Sequence, residues 1–276
     1  MLKTRIITAL ILIAAFIPAL FMFSIEAWAV AMLAISLLAI YEWGTIIKLN
    51  QFELFTYTAI SAILGVLMVM LMKKFGFHWF FYRSLLAFLI ATIFWVFVVP
   101  IWLKKRFVID NKAMMAVLGI LLIAPLWLAL VCAKGADPRL LLVLLSTIWI
   151  ADSAAYFAGK NFGKNKLAPI ISPGKTWEGV FGALVAVTVF AGMLHLWFGV
   201  NNIAVFPLLW IVTIFGVIGD LFESLMKRQA NIKDSGDLLP GHGGVLDRID
   251  GLIPSLPIAI MAIYAYNYVF VSGMAR

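Results

Sequence analysis

The chain has a single cysteine, Cys132, which lies within an apolar stretch. With no second thiol, an intramolecular disulfide cannot form, and a zinc site built on several cysteines is excluded. Charged residues are also scarce, at 12% of the chain, whereas soluble domains carry about 25%. No basic segment is interleaved with aromatic residues, which argues against nucleic-acid binding. These shortages exclude an ordinary soluble domain.

Long apolar runs are what the chain has in abundance. Apolar residues make up 64% of its 276 residues, and about 20 such residues in a row cross a hydrocarbon core of about 30 Å. Because lipid cannot satisfy backbone hydrogen-bonding groups, these runs are expected to be helices. We predict an all-α, polytopic transmembrane protein with about nine spans, the first retained rather than cleaved. The predicted spans are residues 6–23, 27–47, 55–72, 84–103, 113–132, 140–158, 178–199, 203–222 and 252–272.

The distribution of basic residues predicts how these spans are oriented. With a cytoplasmic N-terminus, fifteen of the 21 Lys and Arg residues fall in inside segments and six fall outside, which favours N-in and C-out. We treat residues 1–276 as one integral membrane domain, with an N-terminal helical region at 1–135 and a C-terminal catalytic region at 136–276. Two long polar loops, 159–177 and 223–251, then face the cytoplasm. The expected location is a bacterial inner membrane, and the sequence leaves a monomer and a homodimer both open.

Six of the thirteen acidic residues lie between positions 220 and 250. Asp220, Asp247 and Asp250 are candidate ligands of Mg²⁺, which prefers oxygen and is usually held by one or two carboxylates plus substrate phosphates. If the eighth helix continues past Asp220, then Glu223, Ser224 and Lys227 lie on the same face as Asp220. The basic residues suited to neutralising phosphates are Lys227, Arg228, Lys233 and Arg248.

The loop between these groups is rich in turn-forming residues and begins at Asp234. His242 is a candidate for hydrogen bonding a phosphate or transferring a proton. Gly243 and Gly244 would let backbone N–H groups approach an anion closely. Together the segment predicts phosphoryl or nucleotidyl transfer, which depends mainly on positioning and charge stabilisation. The alternative is a solvated interfacial loop whose acids cap helices.

The second polar loop contains Gly-Lys-Thr at 174–176, which superficially suggests a P-loop. That pattern requires a glycine five residues earlier, where Pro169 stands, and no β-strand is expected nearby, so we reject it. Ser172, Lys175 and Thr176 remain candidates for holding a phosphate. The side chains of this loop therefore extend the predicted substrate site.

Three further acids lie within or beside the apolar runs. Ionisable groups inside a membrane are costly and usually face a polar interior. Asp152 is followed by small residues that allow close helix packing, and we predict that it contributes to substrate binding. Glu42 and Glu178 fit a structural role and a functional role equally well.

The polar segment closely resembles the signature of a known family. The matching residues are Ser224-x-Met226-Lys227-Arg228, Lys233-Asp234-x-Gly236 and Leu239-Pro240-x-His242-Gly243-Gly244-Val245-x-Asp247-Arg248-Ile249-Asp250. The chain is similar in these positions to the phosphatidate cytidylyltransferases, also called CDP-diacylglycerol synthases. The Asp152 region and the loop around Lys175 are similar as well.

This resemblance implies a magnesium-dependent enzyme that joins CTP and phosphatidic acid into CDP-diacylglycerol and releases pyrophosphate. By position, Asp220 and Asp247 would be metal ligands, with Asp250 nearby. The phosphate-contacting residues would be Lys227, Arg228, Lys233, His242 and Arg248. The family is also associated with potassium, which nothing in the residues themselves indicates. Two other functions remain open: a CTP-dependent lipid kinase and a cation-coupled transporter.

Overall fold

The computed structural model describes residues 13–197, 200, 202–236, 238 and 243–268. Almost all of its secondary structure is helical. The elements in chain order are α1 (Ile13–Met22), α2 (Ile25–Ile46), α3 (Gln51–Phe75), α4 (Phe77–Ile93), a π turn (Phe94–Val98), α5 (Val99–Lys105), α6 (Lys112–Ala136), α7 (Pro138–Phe162), β1 (Lys166–Ala168), β2 (Ser172–Thr176), α8 (Trp177–Trp197), α9 (Val205–Gln229), α10 (Leu246–Ile249) and α11 (Leu252–Tyr266).

The predicted all-α membrane architecture is confirmed. Within the described ranges, eight segments are long and apolar enough to cross a membrane, and α1 is the described part of the first predicted run. From α4 to α5 the chain forms one continuous span, Phe77–Lys105. Both α7 and α9 extend beyond their predicted ends, so each polar loop is shorter than the sequence suggested. The N-in, C-out orientation stays a prediction.

Local sequence signals account for several helix boundaries. The Asn50 side chain accepts the Glu53 N–H at 2.9 Å and the Glu53 carboxylate accepts the Asn50 N–H at 2.8 Å, which is a capping box at the start of α3. Asp137 caps α7 through its side chain. Pro100 lacks an N–H and cannot continue a regular ladder, and the backbone widens into the π turn just before it.

The centre of the bundle is α6, which is mostly buried, whereas α3 lies at the periphery. Two tryptophans join α2 to α6. The indole N–H of Trp28 donates to the Leu130 carbonyl at 3.1 Å, and that of Trp127 donates to the Ala29 carbonyl at 2.9 Å. Because a buried indole N–H needs an acceptor, these paired bonds fix α2 against the core of the protein.

Small residues allow α7 and α8 to pack closely. A Cβ added at Gly179 would lie 2.9 Å from the Ala155 carbonyl oxygen, and one at Gly182 would overlap the Ala158 methyl group. Small residues are the usual means by which membrane helices approach one another. Since α9 packs against both of these helices, the ends of α7, α8 and α9 surround one shared space.

Residues 166–176 form a β-hairpin, so the expectation that no strand lies here is wrong. Its strands pair antiparallel, with Lys166 opposite Thr176, and the Trp177 N–H donates to the Asn165 carbonyl at 2.9 Å to close its base. The strands are three and five residues long, and β2 contains proline and glycine, which are depleted in strands. The Gly-Lys-Thr sequence lies within β2 and does not form a P-loop.

The hairpin is tied to the start of α8 by two side chains. Thr176 Oγ1 accepts the Gly179 N–H at 3.1 Å, so Thr176, and not Glu178, caps the helix. The Glu178 carboxylate instead accepts the backbone N–H of Asn165 at 3.1 Å and its side-chain amide at 2.8 Å. Glu178 therefore holds the beginning of the hairpin against α8.

Candidate active site

An open cavity of about 470 Å³ lies between α7, the hairpin, α8 and α9. Its volume is in the range of small-molecule binding sites. Five of the residues predicted from the sequence line it: Asp152, Ser172, Lys175, Thr176 and Asp220. The fold thus brings the first polar loop, the acid Asp220 of α9 and the intramembrane acid Asp152 to one place.

The hairpin and α9 meet across this cavity through an ion pair. Lys175 Nζ lies 2.5 Å from Asp220 Oδ2, and the lysine side chain is 25% exposed. Asp220 Oδ1 accepts a hydrogen bond from Ser224 Oγ at 3.3 Å, which confirms that the two share one face of α9. A half-buried ammonium group facing a cavity is suited to binding an anionic ligand.

Two cavity residues were not predicted as site residues. Tyr156 and Lys160 also line the space, and Lys160 Nζ lies 5.8 Å from the centre of the Tyr156 ring. They follow Asp152 at intervals of four residues, which places all three on one face of α7. This spacing was visible in the sequence and could have identified them.

A second feature is a group of acids at the α9 end of the cavity. Asp152 and Asp250 both lie close enough to Asp220 for their charges to interact. Asp250 Oδ1 also accepts the Gly251 N–H at 2.7 Å. Since carboxylates that face one another repel, a cation between them would be stabilising.

Asp247 belongs to a neighbouring cluster. Lys227 Nζ lies 2.5 Å from Asp247 Oδ1 and 2.6 Å from Glu223 Oε2. The other oxygen of Asp247 accepts the N–H groups of Ser235 at 3.0 Å and Gly244 at 2.9 Å. With the Lys227 and Glu223 side chains only 12% and 5% exposed, this network is largely buried. Asp247 is therefore already engaged by three donors.

The two clusters adjoin through Glu223, an acid of α9 that was not predicted as a site residue. Its charge interacts with that of Asp250. Its Oε1 atom is buried and has no hydrogen-bond partner among the residues that the structure describes. A buried acceptor of this kind requires an explanation, such as water or an ion. Glu223 thus marks the point where the two groups of acids meet.

These acids fit the chemistry of magnesium, although they do not form a complete ligand shell. Across the described part of the chain, no three Asp, Glu, His or Cys side chains converge closely enough to hold a metal ion by themselves. Magnesium is usually bound through one or two carboxylates, with water and phosphate oxygens completing the shell. Asp220 and Asp250 are placed to supply such carboxylates, and metal binding by Asp220, Asp247 and Asp250 stays a prediction.

The remaining predicted residues of this segment that the structure describes lie between positions 228 and 248. Gly244 differs from the prediction: its N–H binds the Asp247 carboxylate of the protein itself rather than a free anion. Gly243 has a positive φ of 80°, a conformation that favours glycine. His242 lies outside the described residues. Exposed side chains near the loop are those of Arg228, Lys233, Asp234 and Arg248.

The fold and this site define a helical integral membrane protein with a charged cavity suited to a phosphate-bearing ligand. Comparison with known sequences identifies the protein family to which the chain belongs. The profile of the cytidylyltransferase family matches residues 3–266, so the chain belongs to the cytidylyltransferase family.

Similar bacterial proteins match almost the whole chain. A phosphatidate cytidylyltransferase of Haemophilus influenzae is 35% identical, over 98% of this chain and 100% of that protein. One of Pseudomonas aeruginosa is also 35% identical, over 97% and 99% of the two chains. One of Staphylococcus saprophyticus is 33% identical, over 93% and 96%. The match extends through all the helices that surround the cavity.

Proposed function

We propose that this protein transfers the cytidylyl group of CTP to phosphatidate, giving CDP-diacylglycerol and pyrophosphate. The observation that carries the proposal is the Lys175–Asp220 pair in an open cavity of about 470 Å³, within a chain of the cytidylyltransferase family. The names of the similar bacterial proteins support phosphatidate as the acceptor.

The reaction is a substitution at the α-phosphorus of CTP. A phosphate oxygen of phosphatidate forms a new P–O bond to that atom, and the bond from the α-phosphorus to the oxygen bridging to the β-phosphorus breaks. The electron pair of that bond leaves with pyrophosphate. Because phosphatidate brings an ionised nucleophile, no side chain has to remove a proton from it. The protein's task is to position the two substrates and to offset their negative charges.

The residues of the cavity divide this task. Lys175 is placed to exchange its contact with Asp220 for one with a CTP phosphate, and Lys160 adds positive charge to the same cavity from α7. The exposed side chains of Arg228, Lys233 and Arg248 are the candidates for further phosphate contacts. Lys227 is enclosed between Glu223 and Asp247, so its role is to orient these acids.

Magnesium is part of this proposal. Asp220 and Asp250 would hold it, and Asp247 would join them only if Lys227 withdrew from Oδ1, to which it is paired. When bound, magnesium would neutralise charge on the phosphates. Potassium, the second cation implied by the family resemblance, is tested by replacing it with sodium in the assay.

The location of the site is a further part of the proposal. The helices make this an integral membrane protein, and the excess of basic residues in the segments predicted to lie inside supports a site facing the cytoplasm of a bacterial inner membrane. That face offers CTP from solution and phosphatidate from the adjoining leaflet.

Labelled CTP distinguishes the candidate functions. Purified protein is incubated with phosphatidate and with CTP carrying label in either the α- or the γ-phosphate. Cytidylyl transfer puts the α label into lipid and the γ label into pyrophosphate. Appearance of the γ label in lipid, with an alcohol as acceptor, would establish a lipid kinase instead. Absence of label from lipid with either substrate would contradict both activities, and flux into liposomes without CTP would then indicate transport.

A further inference from the structure

Glu42 is a buried acid of α2 whose contacts lie far along the chain. Its side chain is 2% exposed. The carboxylate accepts hydrogen bonds from Ser235 Oγ at 3.0 Å, from the Val245 N–H at 2.8 Å and from the Leu246 N–H at 2.7 Å. One side chain of the N-terminal region therefore holds both ends of the loop that precedes Asp247.

Two glycines of this loop make the contact with Glu42 feasible. A Cβ added at Gly236 would lie 2.8 Å from Glu42 Oε1, and one at Gly244 would lie 2.5 Å from Glu42 Oε2. Both distances are shorter than side-chain carbon atoms normally allow, so the loop backbone can enclose the carboxylate only where glycine stands. This gives the two glycines a role separate from anion binding.

The loop residues that Glu42 holds also bind Asp247. Ser235 donates its hydroxyl to Glu42 and its backbone N–H to Asp247. Gly244 packs against Glu42 and donates its N–H to Asp247. The two carboxylates thus hold the same loop residues, and Asp247 in turn contacts Lys227.

We propose that Glu42 is a positioning residue for cytidylyl transfer, which fixes the two ends of the loop and through them the orientation of Asp247 and Lys227. The effect on turnover rests on the proposed function, whereas the effect on the loop does not. Three donors converge on Glu42, so the isosteric change Glu42→Gln replaces one acceptor oxygen by an NH₂ group that faces a donor. The contact is lost while the shape of the side chain is kept.

The test compares four full-length proteins in detergent: the parent, Glu42→Gln, Ser235→Ala and Glu53→Gln. Glu53 is a matched control because it also accepts a backbone N–H at a helix start, but it lies on the exposed end of α3. Amide hydrogen exchange is measured by mass spectrometry on peptides covering 233–236 and 243–249. Melting temperature and the kcat and KM for CTP are measured on the same samples.

We expect Glu42→Gln to speed exchange in these two peptides and to lower kcat by about tenfold or more, since a buried donor that loses its acceptor no longer holds the loop in place. Ser235→Ala removes one of the three hydrogen bonds to Glu42, so it should give a smaller increase in exchange and a smaller loss of kcat. Exchange in α6 should stay near the parental rate, and the melting temperature of Glu42→Gln should fall by only a few degrees. Glu53→Gln should change exchange only at the start of α3.

The proposal is overturned if, in both Glu42→Gln and Ser235→Ala, the two loop peptides exchange at the same rate as in the parent protein. Faster exchange with an undiminished kcat would overturn it as well, because the loop would then be held by Glu42 without consequence for turnover. If Glu42→Gln fails to fold, the decision passes to Ser235→Ala, for which the same two results apply. A parent protein that lacks cytidylyl transfer would refute the proposed function, while the exchange result would still decide whether Glu42 holds the loop.

Discussion

Replacement of Lys175 by alanine is the most informative single perturbation of the cavity. The ammonium group of Lys175 is the positive charge that directly faces Asp220, at 2.5 Å. Alanine removes it while leaving the β2 backbone and its pairing in place. Asp220 then faces Asp152 and Asp250 without this counter-charge, and the potential in the cavity becomes more negative. A triphosphate should bind less well and react more slowly in that field.

The expected loss of kcat/KM follows from the strength of a charged hydrogen bond and from the partial burial of the Lys175 side chain. A hydrogen bond to a charged partner is worth about 1.5–3 kcal/mol, and the Lys175 side chain, at 25% exposure, is only partly screened by water. A loss of that size in the transition state corresponds to a fall in kcat/KM of about 10- to 150-fold. The added repulsion of phosphates by Asp220 moves the expected value towards the upper end.

Lys166→Ala is the matched control, because the same side chain is removed from the same hairpin. Lys166 is an exposed residue of β1, outside the set that lines the cavity. We expect its kcat/KM to stay within about twofold of the parent, as for most surface substitutions. The assay is the initial rate of formation of cytidine-containing lipid from labelled CTP in mixed micelles, with melting temperatures measured in parallel.

Equal losses in Lys166→Ala and Lys175→Ala would refute the reasoning, because they would show that the hairpin acts through its overall charge or fold. A Lys175→Ala protein with parental kcat/KM would refute it as well, since no phosphate could then depend on this ammonium group.

Three other predictions use different parts of the site. Asp247→Asn should lower turnover by about 100-fold or more while the protein still inserts and folds, because Lys227 and two backbone donors lose their shared carboxylate; near-normal initial rates would contradict this. Gly219→Ala should lower stability by about 1–3 kcal/mol in thermal unfolding, since its methyl group would overlap the Asp250 carbonyl where α9 crosses α11. Gly192→Ala is the control, because there is open space around Gly192, and it should not lower stability. Equal melting temperatures for the two variants would argue against that close crossing. Chelation of divalent cations should abolish lipid cytidylation and added Mg²⁺ should restore it, and full activity after thorough chelation would exclude the proposed metal.

The helices were predictable because a single physical signal dominates them. Long apolar runs have no stable alternative to helix within lipid, and the predicted runs and the described helices coincide closely. The hairpin at 166–176 was not predictable, because its short strands depend on closure by Asn165 and Trp177 and on the neighbouring helices α8 and α9 rather than on strand-forming residues.

Some residues of the cavity were also predictable, because their charges stand out in an apolar sequence. Lys175 and Asp220 carry charges that the apolar surroundings make conspicuous, and their residue types point to phosphate and metal chemistry. Their distances from one another could not be read from the sequence. The separation of Asp247 from Asp220 illustrates this, because it follows from hydrogen bonds to Ser235 and Gly244.

The hydrogen-bond partners of Glu42 could not be predicted from the sequence at all. Its donors Ser235, Val245 and Leu246 lie 193 to 204 residues further along the chain. A lone acid in an apolar run indicates that some polar partner exists, but nothing in its own neighbourhood identifies which one. Only the folded arrangement of α2 beside α10 reveals the pairing.

That long separation has a consequence for biogenesis. Ribosomes add about 5–20 residues per second, so the 204 residues between Glu42 and Leu246 take about 10–40 s to synthesise. For much of this interval α2 has already left the ribosome, while Glu42 still lacks its three hydrogen-bond donors, which have not yet been synthesised. The nascent chain must therefore keep Glu42 protonated, near water or beside another polar group until the last helices arrive, and Glu42 gains its final contacts only when translation is nearly complete.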